Sequence, residues 1–200
     1  MTPDPTTAPT VVFVPGLRDH VPDHWQTRLA ARIPGSVTVP PLTEARLSRA
    51  AQVAALDAAV TSVAGPVVLV AHSAGVHTTV HWALTHDDRP VLGALLATPP
   101  DFDTPLPEGH PDPETLRAHG WLPVARARLP FPVIVAASTN DPLARPEKVA
   151  ALAADWGGRL VGIGPVGHLN PASGHGEWPQ AARLLEELGC PAPTGREAVK

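Results

Sequence analysis

The chain is short of several things, and each shortage removes a class of protein. It holds one cysteine, Cys190, in 200 residues. A single thiol builds neither an internal disulfide framework nor a multi-cysteine zinc site, and it fits a reducing, cytoplasmic compartment. Basic charge is also short: 15 Lys and Arg stand against 19 Asp and Glu, a formal net charge of −4. That balance supplies no field for nucleic acid or for an acidic membrane surface. No apolar run approaches the roughly 20 residues that span a bilayer. Residues 1–10 are rich in proline and threonine and lack a basic stretch followed by an apolar one, so they do not read as a secretory signal.

With 44% hydrophobic and 17% charged residues, the chain has the make-up of one globular domain with a sizeable core. That domain is expected over 10–190, after a disordered leader (1–9) and before a tail (191–200). Short continuous apolar runs predict strands at 10–14, 37–39, 67–71, 91–97, 132–137 and 159–163. Between them, helical spacing predicts helices at about 24–32, 47–63, 74–84, 146–156 and 179–188. Alternation of this kind predicts a mostly parallel sheet with helices on both faces, a three-layer α/β/α sandwich. Residues 98–130 break the rhythm: they carry eight prolines and no long periodic run, as a lid or binding loop does.

The run Val67-Val68-Leu69-Val70-Ala71-His72-Ser73-Ala74-Gly75 carries the most chemistry. It reads as strand, sharp turn and helix, with Ser73 at the turn. Small residues two positions before (Ala71) and two after (Gly75) let strand and helix backbones approach. Ala71 departs from the usual glycine of G-x-S-x-G. Without further support, Ser73 is equally the N-cap of a helix after a buried strand.

In a parallel α/β sheet, ligands gather beyond the carboxyl ends of the strands. Asp141 follows the fifth strand and His168 the sixth, the latter flanked by glycine in a loop. Serine, acid and histidine in that chain order, each on a strand-end loop, match the order of an α/β-hydrolase. The chemistry explains the set. A serine hydroxyl needs an imidazole to accept its proton, and the imidazole needs a carboxylate to fix its tautomer. An oxyanion hole requires two N–H donors. The amide of Ala74 is one, and Leu17 or Gly16 after the first strand supplies the other, with Leu17 preferred. Gly16 and Trp121 are expected at the substrate, with Phe102 and Leu106 beside Trp121 in the acyl pocket.

Rival readings exist for several positions. His175 sits in a similar glycine-flanked loop and competes for the role of base. Asp101 and Asp103 follow the fourth strand, a second place for the acid. His77 and His81 are one helical turn apart, but no third ligand is evident, so no metal is expected. His72 should point away from Ser73. His24 and Trp25 are expected to pack the first helix.

Four blocks give the chain a familiar look: Val14-Pro15-Gly16-Leu17, Asp23-His24-Trp25-Gln26, Val70 to Gly75, and Ala137 to Pro179. The last contains Asn140-Asp141-Pro142, Gly167-His168-Leu169-Asn170 and Gly176-Glu177-Trp178-Pro179. On these the chain resembles the small α/β-hydrolases grouped with the bacterial YdeN-type esterases and the retinoblastoma-binding serine hydrolase. The resemblance implies a minimal hydrolase sheet without a large cap domain, a Ser73–His168–Asp141 triad and no cofactor. It implies a carboxylesterase acting on a small-molecule ester. The same triad would also serve an acyltransferase or an amidase, and the scaffold alone would serve as a protein-binding module.

Overall fold

A computed structural model describes residues 8–18, 21–86 and 90–191. Positions 1–7 of the expected leader and 192–200 of the expected tail lie outside the described residues. Six strands form one sheet: β1 (Thr10–Val14), β2 (Val37–Thr38), β3 (Val67–His72), β4 (Val91–Ala97), β5 (Val133–Ala137) and β6 (Arg159–Gly162). The order is β2-β1-β3-β4-β5-β6, and every neighbouring pair is parallel. The order reverses between β1 and β3, which makes a crevice at their carboxyl ends.

Among the described residues, six α-helices surround the sheet: α1 (Trp25–Ala30), α2 (Arg49–Thr61), α3 (Ala74–Ala83), α4 (Pro113–Ala118), α5 (Pro146–Asp155) and α6 (Pro179–Glu187). Successive strand residues point to opposite faces, which sorts the core into two layers. Val12, Leu69, Leu96 and Val135 pack with Leu56 of α2, Val80 of α3 and Leu152 of α5. On the other face Phe13, Val68, Leu95 and Ile134 pack with Trp25 and Leu29 of α1 and Leu184 and Leu185 of α6. Both faces are covered over the central strands, which is why β1, β3, β4 and β5 read as continuous apolar runs rather than alternating ones. Each fully buried side chain of this size contributes about 1.5–3 kcal/mol to folding.

The 98–130 segment departs from expectation. It contains α4, whose N-cap Asp112 accepts from the Thr115 amide at 2.7 Å and whose first residue is Pro113. Asp before Pro is a helix-start signal, but six residues are too few to show a period. Trp121, expected at the substrate, is instead buried in the core. It stands edge-on to Phe102 with centroids 5.8 Å apart, and its indole N–H donates to the Leu47 carbonyl at 2.6 Å. A ring this large takes the hydrogen-bonded core site that an indole N–H needs. Arg126 clips the same segment down by reaching both Asp103 and Asp155.

His77 is buried between Phe102, stacked at 4.4 Å, and Trp156, and its Nε2–H donates to the Pro100 carbonyl at 2.8 Å. Burial lowers its pKa from 6.5 to about 4. His81 falls to about 4 as well, through burial and then the nearby Arg49. The unfolded chain therefore takes up protons between pH 6.5 and 4 that the native state refuses. Stability is expected to be full above pH 6.5 and to fall as pH drops toward 4, by about 3 kcal/mol for His77 alone. Urea midpoints measured from pH 7 to 4.5 check this. His77→Gln, which keeps a donor for the Pro100 carbonyl but takes no proton, should flatten the decline.

Candidate active site

β3 delivers Ser73 to the crevice. The serine has φ 56° and ψ −132°, a region that a side-chain-bearing residue occupies only when its surroundings force it. Two features impose it. The Ser73 amide donates to the Ala97 carbonyl at 3.1 Å, so the turn is tied to β4. Gly75 lets α3 lie directly on the end of β1: a Cβ there would sit 2.3 Å from the Val14 carbonyl oxygen. Ala71, where glycine is usual, is fully buried, so its methyl simply joins the core.

β5 and β6 deliver the other two groups. His168 Nε2 lies 2.8 Å from Ser73 Oγ. His168 Nδ1 lies 2.9 Å from Asp141 Oδ2 and 3.1 Å from Oδ1. Asp141 Oδ1 also accepts from the Leu143 amide at 2.9 Å. The side chains of Asp141 and His168 are 2% and 8% exposed. This is a hydrogen-bonded relay from carboxylate through imidazole to hydroxyl, shielded from bulk water. It can draw the serine proton toward the ring while the carboxylate balances the charge that forms.

The His168 peptide is held from both sides. Its N–H donates to Ser173 Oγ at 3.0 Å, and its carbonyl accepts from His72 Nε2–H at 2.9 Å. Ser173 Oγ in turn donates to Asn170 Oδ1 at 2.9 Å. Asn140 Oδ1 accepts from the Gly167 amide at 2.6 Å, which ties the histidine loop to the Asp141 loop. Burial first, and then the rings of His168 and His24, hold His72 well below its ordinary pKa, so it is neutral. Sequence reasoning placed the His72 side chain away from Ser73 but gave it no task. Only the register of β3 against the His168 loop, 96 residues on, reveals one.

A cavity of about 640 Å³ opens over Ser73. Leu17, Ala74, Phe102, Leu106, Leu143 and Pro171 are among its walls, and Trp121 is not. Gly16 also lines it, against the serine: a Cβ there would stand 3.0 Å from Ser73 Cβ. Among the described residues, the amides of Leu17 and Ala74 donate to no other protein group. Gln26, fully buried, donates from Nε2 to the Val70 and Val14 carbonyls at 2.9 and 3.3 Å, stitching β1 to β3 beneath the floor. His24 caps α1 through Nδ1, which accepts from the Gln26 amide at 3.2 Å, and Trp25 packs edge-on against Trp178.

The rival residues are engaged elsewhere. Asp101 accepts from Thr104 Oγ1 at 2.8 Å and from the Asp103 amide, and Asp103 pairs with Arg126. His175 does not line the cavity. His81 faces Arg49 while His77 faces Pro100, so the pair does not converge on one point. Among the described residues no group of three His, Cys, Asp or Glu could hold a metal ion, and no helix is long and apolar enough to cross a membrane.

The family profile described as serine hydrolase matches residues 11–187. No curated protein matches the chain. Among solved structures, a protein described as a YdeN-like hydrolase from Pectobacterium atrosepticum is 25% identical, with a TM-score of 0.75 and 91% of each chain covered. The ydeN gene product of B. subtilis is 17% identical with a TM-score of 0.64, covering 90% of this chain and 98% of that one. Est1E from Butyrivibrio proteoclasticus is 12% identical with a TM-score of 0.67, covering 92% and 90%. The last two likenesses carry the fold alone. The profile spans nearly all of the sheet and both loops that face Ser73: this chain belongs to the serine hydrolase family and is similar to a YdeN-like hydrolase.

Proposed function

We propose that this hydrolase is a carboxylesterase for small or medium acyl esters, working through an acyl-enzyme on Ser73. One observation carries the reading: Asp141, His168 and Ser73 form one unbroken hydrogen-bonded relay at the floor of an apolar cavity. Ser73 Oγ attacks the ester carbonyl as His168 Nε2 takes its proton. The oxyanion that forms is received by the Leu17 and Ala74 amides, which donate to no other protein group among the described residues. His168 then returns the proton to the leaving alcohol, and the acyl group stays on Ser73. Water enters, gives its proton to His168 and attacks the acyl carbon, releasing the acid and restoring the serine. Asp141 keeps the Nδ1 proton in place throughout.

A panel of p-nitrophenyl esters of graded acyl length tests the reading. Saturable turnover that peaks at short or medium chains is expected. A folded protein that turns over no member of the panel while cleaving amides of the same acids would overturn it.

His72 acts here as a positioning residue, because its N–H holds the carbonyl of the residue that moves the proton. His72→Leu is expected to lower kcat roughly 10–100-fold, since a small displacement of a proton-transfer group is that costly. KM should change little. His72→Gln places an amide N–H at the same number of bonds from Cβ and should restore most of the rate. Equal losses in both variants would assign the histidine to packing alone.

A further inference from the structure

The cavity over Ser73 has an unusual charge. The chain has 19 Asp and Glu, yet among the described residues none lines this wall. Asp141 is turned to the far nitrogen of His168 and is shut off from it. Among the described residues the wall contains one permanent cation, Arg18. Its guanidinium donates to the Gly109 carbonyl at 2.7 Å, tying the loop after β1 to the 98–130 segment across the cavity. Among the described residues that bond is its only partner, so one of its N–H donors is used and the rest of the fork is unclaimed.

Arg18 is also close to the reacting centre. It stands two residues beyond Gly16, where a Cβ would lie 3.3 Å from Ser73 Oγ. Two residues span at most about 7 Å between Cα atoms, and Arg18 and the Gly109 that it bonds both line the cavity that opens over Ser73. Arg18 is exposed where it borders this mostly apolar wall, and its fork matches the two oxygens of a carboxylate.

We infer that Arg18 is a recognition subsite for a carboxylate borne by the ester away from its reacting carbonyl, so that the enzyme's substrates are anionic esters. The inference rests on the esterase reading of the same cavity. The subsite captures the anion, and the relay cleaves the ester at the other end.

Matched substrate pairs test it. On the acyl side, mono-p-nitrophenyl esters of dicarboxylic acids are compared with those of monocarboxylic acids of equal length. On the alcohol side, p-carboxyphenyl butyrate is compared with p-carbamoylphenyl butyrate. In at least one pair the anionic member should have the higher kcat/KM. Arg18→Gln should lower that advantage about three- to fivefold, as expected for loss of an exposed charge-assisted pair, and leave the neutral member within about twofold. Arg18→Lys, which keeps the charge and loses the fork, should fall between. About 0.5 M sodium chloride should narrow the gap.

Calorimetry on the Ser73→Ala protein reads binding without turnover. Tighter binding of the anionic member, lost in the Arg18→Gln, Ser73→Ala double variant, supports the subsite even if the wild type hydrolyses none of the esters; that second result would count against the esterase reading alone. Equal binding of anionic and neutral members overturns the subsite whatever the turnover. So does an Arg18→Gln loss that falls equally on both members, which would make Arg18 only a strap to Gly109.

Discussion

Replacing Ser73 with alanine is expected to lower kcat/KM for the best p-nitrophenyl ester by about 10⁴-fold or more, to the rate that binding and oxyanion stabilisation alone provide. The size follows from the relay. Without Oγ there is no atom to form the acyl-enzyme, and His168 has nothing to deprotonate at 2.8 Å. Stability should not fall. Ser73 makes no side-chain cap bond to α3, and its strained backbone is held by the Ala97 carbonyl rather than by its hydroxyl. Steady-state kinetics with urea unfolding on the same preparation separates the two. A variant that keeps more than about a tenth of the wild-type rate, against that expected loss, would move the chemistry away from Ser73.

Asp141→Asn should cost about 10⁴-fold in kcat with the geometry intact, through the tautomer of His168. The structure gives a specific reason. Asp141 Oδ1 accepts from the Leu143 amide, so an asparagine would turn its oxygen toward that N–H. Its NH₂ would then face His168 Nδ1, where Oδ2 now stands at 2.9 Å. A donor at that point forces Nδ1 to accept and puts the ring proton on Nε2, pointing at Ser73 Oγ. The ring is then unable to take the serine proton. Substrate binding should be little changed, so the loss falls on kcat. If Asp141→Asn kept near-wild-type kcat while Asp101→Asn or Asp103→Asn lost it, the acid would be one that follows β4.

Much of this was legible in the sequence because apolar continuity has one cause in a sheet covered on both faces. Val67 to Ala71 and Gly93 to Ala97 read as strand because both faces of each are buried, and the same pattern placed Asp141 and His168 on strand-end loops. The structure brings those two and Ser73 into a single hydrogen-bonded chain. What stayed hidden depends on contacts distant in sequence. Trp121 was expected at the substrate because an aromatic in a proline-rich loop looks available. Its indole N–H instead found the Leu47 carbonyl, 74 residues away, and the ring went into the core. The clamp of His72 and Ser173 on the His168 peptide leaves no periodic trace, since a side-chain bond to a backbone carbonyl asks only for one donor in one place. Arg18 gave no signal either, because a single arginine among thirteen acquires meaning only beside a cavity wall that, among the described residues, holds no acid.

The measurement closest to the central claim is intact-protein mass after treatment with a fluorophosphonate. Such a reagent forms a P–O bond to a serine and loses fluoride only where a base removes the hydroxyl proton. One adduct per chain is expected on the wild type, mapping to the peptide that contains Ser73, with none on Ser73→Ala. A folded wild type that takes up no label, or a Ser73→Ala protein labelled to the same extent, would contradict the account.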